Sequence, residues 1–144
     1  MNVFEHLQSQ CDTIDKRLQE IVTHYPDWPR DRIFEDTKRE LKAINKHFQQ
    51  QTLLFTRADK NGRVSSLKTA TDKAQESIKS EIDNLVMIHV DEPGFEQGLE
   101  DIAEDFNCYR QFSEGTLYPE LEKILDKDTI DSVEKQIENE NLTS

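Results

Sequence analysis

The sequence predicts an all-α protein: an up-down-up-down antiparallel four-helix bundle followed by a short C-terminal helix. Three observations lead there. Four long segments carry apolar residues at alternating spacings of three and four, the signature of one buried helix face. Each segment ends at a cluster of turn-forming residues. No stretch alternates with period two, so no sheet is expected.

The first helix is expected from about Asn2 to Thr23, with Phe4, Leu7, Cys11, Ile14, Leu18 and Ile21 on its inner face and Asn2 as N-cap. Tyr25-Pro26-Asp27-Trp28-Pro29 stops it, because two prolines so close break the hydrogen-bond ladder. The second helix is expected from Asp31 to about Arg57, with a stripe of Ile33, Thr37, Leu41, Ile44, Phe48, Gln51 and Phe55, and Asp59-Lys60-Asn61-Gly62 as the following turn. The third opens near Ser65 or Ser66 and runs to about Val90 through Leu67, Ala74, Ile78, Ile82 and Leu85, with Val86 and His89 following. Asp91-Glu92-Pro93-Gly94 ends it. The fourth is expected from Phe95 to Tyr118 through Leu99, Ile102, Phe106, Tyr109, Ser113 and Leu117, with a kink at Pro119 before Leu121, Ile124 and Leu125. A short last helix over 128–139 carries Ile130, Val133 and Ile137, and residues 140–144 are expected to fray. Residues 1–127 thus form the bundle and 128–144 a short helix and tail. Antiparallel neighbours follow from the short connections.

Composition narrows the function. The chain has 144 residues, 34% hydrophobic and 33% charged, with a formal net charge of −12. Such an acidic surface argues against direct contact with nucleic acid phosphates or an anionic membrane. No apolar run reaches the roughly 18 residues of a membrane span. The N-terminus lacks the basic flank and apolar core of a secretory signal. Cys11 and Cys108 make no disulfide framework and no zinc spacing, so a cytoplasmic protein with reduced thiols is expected. The sequence has no Gly-rich phosphate loop and no hydrolase or metalloprotease motif; the expected protein is not an enzyme.

The candidate site comes from counting. His47 and Gln51 lie one turn apart on the inner stripe of the second helix, where a core normally takes Leu. Cys11 lies near the middle of the first helix, Lys79 of the third, and Tyr109 and Ser113 of the fourth. Midpoints of antiparallel helices meet, so Cys11, His47, Gln51, Lys79, Tyr109 and Ser113 are expected to form one central polar layer. His47 is read as a core histidine bonded to Tyr109 or Ser113, and Cys11 as a small filler. Lys79, if inside, needs a carboxylate such as Glu114; at the edge its amine would reach out to water.

The order of these motifs resembles the hemerythrin-like (HHE cation-binding) family. Leu41 to Gln51, followed by Leu54-Phe55, resembles the family's His-x-x-x-Glu second helix. Glu114 and Leu117-Tyr118-Pro119-Glu120-Leu121 resemble the end of its fourth helix, Asp91-Glu92-Pro93-Gly94-Phe95 its third loop, and 129–137 its short last helix. The resemblance implies a four-helix bundle with a di-iron centre. Its ligand positions fall on Cys11, His47, Gln51, Lys79, Tyr109 and Ser113, of which only His47 keeps the family's residue. Two irons need anionic bridges, which this layer lacks unless Glu81 or Glu114 turns inward as a substitute ligand. The expectation is therefore a hemerythrin-like bundle with no metal and no cofactor, serving as an interaction or regulatory protein with an unidentified protein partner, as a monomer or weak homodimer. The alternatives are an iron or O2/NO binder with substituted ligands, and a phosphotransfer or acidic DNA-mimic protein.

Overall fold

The computed structural model describes residues 2–56 and 62–143, and most of these are helical, with no strand among them. Helix α1 spans Val3–His24, α2 Arg30–Thr56, α3 Gly62–Leu85 and α4 Pro93–Phe112. A π-helical turn over Ser113–Leu117 leads into α5, Tyr118–Ile124, and α6 spans Lys127–Thr143. The expected turn at 59–61 and the end of the second helix at Arg57 lie outside the described residues.

Local chemistry explains most boundaries. Asn2 caps α1, its side-chain oxygen accepting from the backbone N–H groups of Phe4 at 2.9 Å and Glu5 at 3.3 Å. The N–H of Val3, another group without an intrahelical partner, donates to Glu134 of α6 at 2.9 Å. Pro93 sits in the first turn of α4, where its missing N–H costs nothing.

The third helix differs from expectation at both ends. It opens at Gly62, before the serines, and stops at Leu85. Beyond Leu85 the backbone tightens: the N–H groups of Met87 and Ile88 bond three residues back, to Asn84 and Leu85. The tighter turns bury Val90 and leave Val86 and His89 exposed.

The fourth segment runs through Pro119 by a local widening. The N–H of Tyr118 bonds to the carbonyl of Ser113, five residues back. Proline cannot donate to the carbonyl four residues before it and its ring crowds that carbonyl, so a π-turn just upstream accommodates it. The extra residue brings both Leu117 and Tyr118 inside.

Contacts between neighbours run in opposite chain order. From α1 to α2, His6 meets Gln50, Cys11 meets His47 and Arg17 meets Glu40. Tyr25 stacks near Phe95 while Arg110 pairs with Asp12 and Asp15, relating α1 to α4 in the same way. Helices α3 and α4 approach closely at Gly98, where an added Cβ would stand 2.9 Å from Leu85. The α2–α3 side is the sparsely packed one.

The apolar interior divides into two clusters. One gathers Ile14, Leu18, Ile44, Phe48, Ile78, Ile82, Ile102 and Phe106. The other gathers Phe4, Leu7, Leu54, Leu67, Leu117, Tyr118 and Leu121 with Val133 and Ile137 of α6. Helix α6 therefore contributes to the core instead of standing apart from it, and it stays helical past residue 139. Between the clusters, at successive levels of three helices, lie the buried Gln51, Gln75 and Ser113.

Candidate functional site: a closed polar layer

His47 is fully buried. Its Nδ1 lies 2.9 Å from Gln10 Oε1, an acceptor, so Nδ1 carries the proton and donates. Gln10 in turn donates through Nε2 to Gln50 Oε1 at 2.7 Å, and His6 Nε2 reaches the same oxygen at 3.3 Å. The other imidazole nitrogen is then an acceptor. Cys11 Sγ stands 3.1 Å from His47 Nε2 and Tyr109 Oη 3.2 Å from it.

A tyrosine has one proton to give. Tyr109 gives it to Gln51 Oε1, which leaves the Cys11 thiol as donor to His47. Gln51 Oε1 also accepts from Gln75 Nε2 at 2.8 Å. Its own amide donates to Tyr118 Oη at 3.0 Å and to Ser113 Oγ at 3.3 Å. All four hydrogen-bonding capacities of the Gln51 amide are thus filled. The rings of Phe48 and Phe106, with centroids 5.1 Å and 5.6 Å from that of Tyr109, hold the phenol in place.

The buried titratable members are neutral. Burial, with the nearby His6 adding to it, pushes the His47 imidazole down to about 3. Burial raises the Cys11 thiol far above its ordinary value, and the Glu114 charge adds to that. The phenols of Tyr109 and Tyr118 are likewise raised, chiefly by burial. Cys11, His47, Tyr109 and Tyr118 therefore carry no thiolate, imidazolium or phenolate at neutral pH, and all four are buried.

Of the six residues read from the sequence, five come together: Cys11, His47, Gln51, Tyr109 and Ser113. Lys79 does not. It is exposed, with Nζ 5.9 Å from the Phe48 ring, and Gln75, one turn earlier on α3, takes the place expected for it. A lysine stem reaches water from the edge of a helix, whereas an amide can be paired inside. The two proposed substitute carboxylates point elsewhere. Glu114 bonds Arg110 at 3.1 Å beside Asp12. Glu81 faces Asp105 on α4; burial, then the hydrogen bond and charge of Asp105, raise its carboxyl to about 8.

The di-iron group that the family resemblance implies does not fit these donors. With His6, Gln10 and Gln50 at its edge, the layer offers two imidazoles, four amides, two phenols, a hydroxyl and a thiol, with no carboxylate to offset ferrous or ferric charge. Among the described residues, no group of three or more His, Cys, Asp or Glu is placed to hold a metal ion.

Sequence reasoning missed Gln10, Gln50, Gln75 and Tyr118. Gln75 had a signal: it falls between Thr71 and Ile78 at the helical spacing of the α3 stripe. Tyr118 had none, because the π-turn moves it by one residue onto the inner face. No family model, no curated protein and no solved structure matches this chain.

Proposed function

We propose that the chain is an up-down-up-down antiparallel four-helix bundle of hemerythrin-like type, and that its central layer is a decayed metal site now serving as a structural network. On this reading it is a non-enzymatic, metal-free interaction or regulatory protein of the cytoplasm, monomeric or weakly dimeric. The observation that carries the reading is the layer itself. Pairs one turn apart on α2 (His47, Gln51) and on α4 (Tyr109, Ser113) converge with Cys11 of α1 and Gln75 of α3. Inward-facing pairs of this kind are how bundle proteins hold metals, yet here hydrogen bonds replace ligation at every position. The opposed chain order of neighbouring helices supports the same architecture.

A second reading, binding of iron or of O2 or NO through substituted ligands, is favoured by one feature. Cys11 Sγ and Tyr109 Oη approach the same His47 nitrogen. Against it, both groups would have to lose protons that burial holds on. Phosphotransfer through His47 is disfavoured because no phosphodonor reaches a fully buried ring.

The test is iron content with a visible absorption spectrum, on protein purified without a metal-chelating step. The expected result is far less than one iron per chain and no charge-transfer band. Two tightly bound irons per chain would overturn the reading. The combined variant Gln51→Glu, Gln75→His, Tyr109→His should gain affinity for divalent metal if the layer descends from a metal site.

A further inference from the structure

The α2–α3 seam is the loosely closed side of the molecule, and an apolar groove of about 470 Å³ lies along it. Phe34, Leu41, Ile82, Val86, Ile88 and Phe95 line it. Three large apolar side chains stand out at its rim and at the adjoining loop: Phe34 is 47% exposed, Val86 64% and Met87 84%. Further depressions continue the seam at both ends, one toward 86–92 and the other along Phe48, Thr52 and Lys79. From Phe34 to Thr52 the seam runs about 27 Å, the length of an 18-residue helix.

The middle of the seam and its Lys79 end carry more lysine than acid, although the chain as a whole is acidic. The protein as a whole carries −12. Along this seam Lys38 and Lys42, one turn apart on α2, face the groove with Lys79 beyond them, against Asp83 alone. The other end, toward 86–92, is acidic, with Asp31, Asp91 and Glu92 against Arg30. Thr37, also in the lining, is buried, and its hydroxyl has no hydrogen-bond partner among the described residues.

We infer that the α2–α3 groove is a docking site for an amphipathic helix of a partner protein, apolar on one face and acidic along its flank. The apolar face fills the groove beneath Phe34, Val86 and Met87, in the helix-in-groove manner. Asp or Glu at four-residue spacing on the partner meets Lys38 and Lys42, whose own spacing is one turn, and a third acid meets Lys79. An open groove with protruding rim residues suits a helix laid along it, because a small ligand is normally enclosed over most of its surface. The inference goes beyond the proposed function and does not depend on the history of the polar layer. Iron in the layer would sink that reading and leave this one standing.

The probe is a labelled 18-residue helical peptide of Leu, Ala and Glu, with Leu at positions i, i+4 and i+7 and Glu along both flanks. Its binding to the full chain is followed by fluorescence anisotropy. The expected dissociation constant is on the order of 10 μM, and the same peptide with Lys in place of Glu should bind at least about 10-fold more weakly, since like charges face each other. Lys38→Glu with Lys42→Glu should reverse that preference. Phe34→Ser and Met87→Ser should each weaken binding several-fold, whereas Lys135→Glu on α6 should not. All five sites are exposed, so helical circular dichroism should stay unchanged and verify folding. No binding at about 1 mM peptide, or equal binding of both peptides, would overturn the inference. So would binding of phosphatidylserine vesicles in preference to the peptide. Self-association of the wild-type chain that Phe34→Ser and Met87→Ser abolish would also overturn it, by making a second copy the occupant.

Discussion

Replacing Gln51 by Leu probes how much the closed layer stabilises the fold. The change keeps the shape of the side chain and removes an amide that makes four hydrogen bonds, to Tyr109, Gln75, Ser113 and Tyr118. Two of the partners recover at once. The Tyr109 hydroxyl can turn to His47 Nε2, 3.2 Å away, in place of the weaker Cys11 thiol donor, and Ser113, in a helical turn, can bond a carbonyl of the preceding turn. The Gln75 amide and the Tyr118 hydroxyl stay buried without their partner. A buried polar group left unpaired costs about 1–3 kcal/mol; the better burial of an apolar side chain offsets part of that. The expected loss is about 2–4 kcal/mol. For a chain of this size each kcal/mol moves the melting temperature by about 3 °C, so a fall of about 6–12 °C is expected. The assay is urea unfolding followed by circular dichroism, with thermal melting beside it. The double variant Gln51→Leu, Gln75→Leu should recover part of the loss, because it removes both ends of one broken bond. A single variant within about 0.5 kcal/mol of wild type would refute the reasoning, since it would mean that the amide is not the hub of the layer. Gln51→Glu should be tolerated better than Gln51→Leu: Tyr109, Gln75, Ser113 and Tyr118 can all donate to a carboxylate.

Phe48 is buried between the rings of His47 and Tyr109, so Phe48→Ala should cost about 3–5 kcal/mol in urea unfolding. Glu81 has a folded-state value near 8, above its ordinary 4.5. The folded state therefore holds a proton that the unfolded state releases, and the stability this contributes is full below about 4.5 and lost as pH rises through about 8. Glu81→Gln should flatten the fall of the urea midpoint across that window. His47 acts in the opposite sense, because its value is lowered from 6.5 to about 3. Its contribution is present above 6.5 and is lost as pH falls toward 3, so His47→Gln should lessen destabilisation by acid. Cys108 is exposed and Cys11 is buried with its thiol held protonated. A thiol reagent should label one cysteine per native chain quickly and the second only after denaturation, and Cys108→Ser should abolish the fast phase.

Much of the helical pattern is written locally. The 3–4 spacing of Phe4, Leu7, Cys11, Ile14, Leu18 and Ile21 marks the face of α1 that the fold buries, and Tyr25 to Pro29 separates it from α2 because proline forbids the ladder. The same periodicity placed His47, Gln51, Tyr109 and Ser113 inward, since a polar residue on an apolar stripe is buried with its neighbours whatever it is. Local pattern could not decide which polar side chain of α3 joins them. Lys79 and Gln75 lie one turn apart, on the same side of the helix, and only the packing of α3 against α2 shows that the lysine has an escape to water while the amide meets Gln51. Nor could it place Tyr118, whose burial depends on a π-turn set by Pro119 downstream. The proton order of the layer, from His6 through Gln50, Gln10 and His47 to Cys11, and from Tyr109 to Gln51, exists only in three dimensions. Hydrogen bonds between residues as far apart as 10 and 47, or 51 and 118, are fixed by distances between helices, and no spacing along the chain records those distances. The lysine-edged α2–α3 groove is of the same kind, because it arises from a helix pair that packs loosely, a property of the assembled faces and not of either sequence stripe.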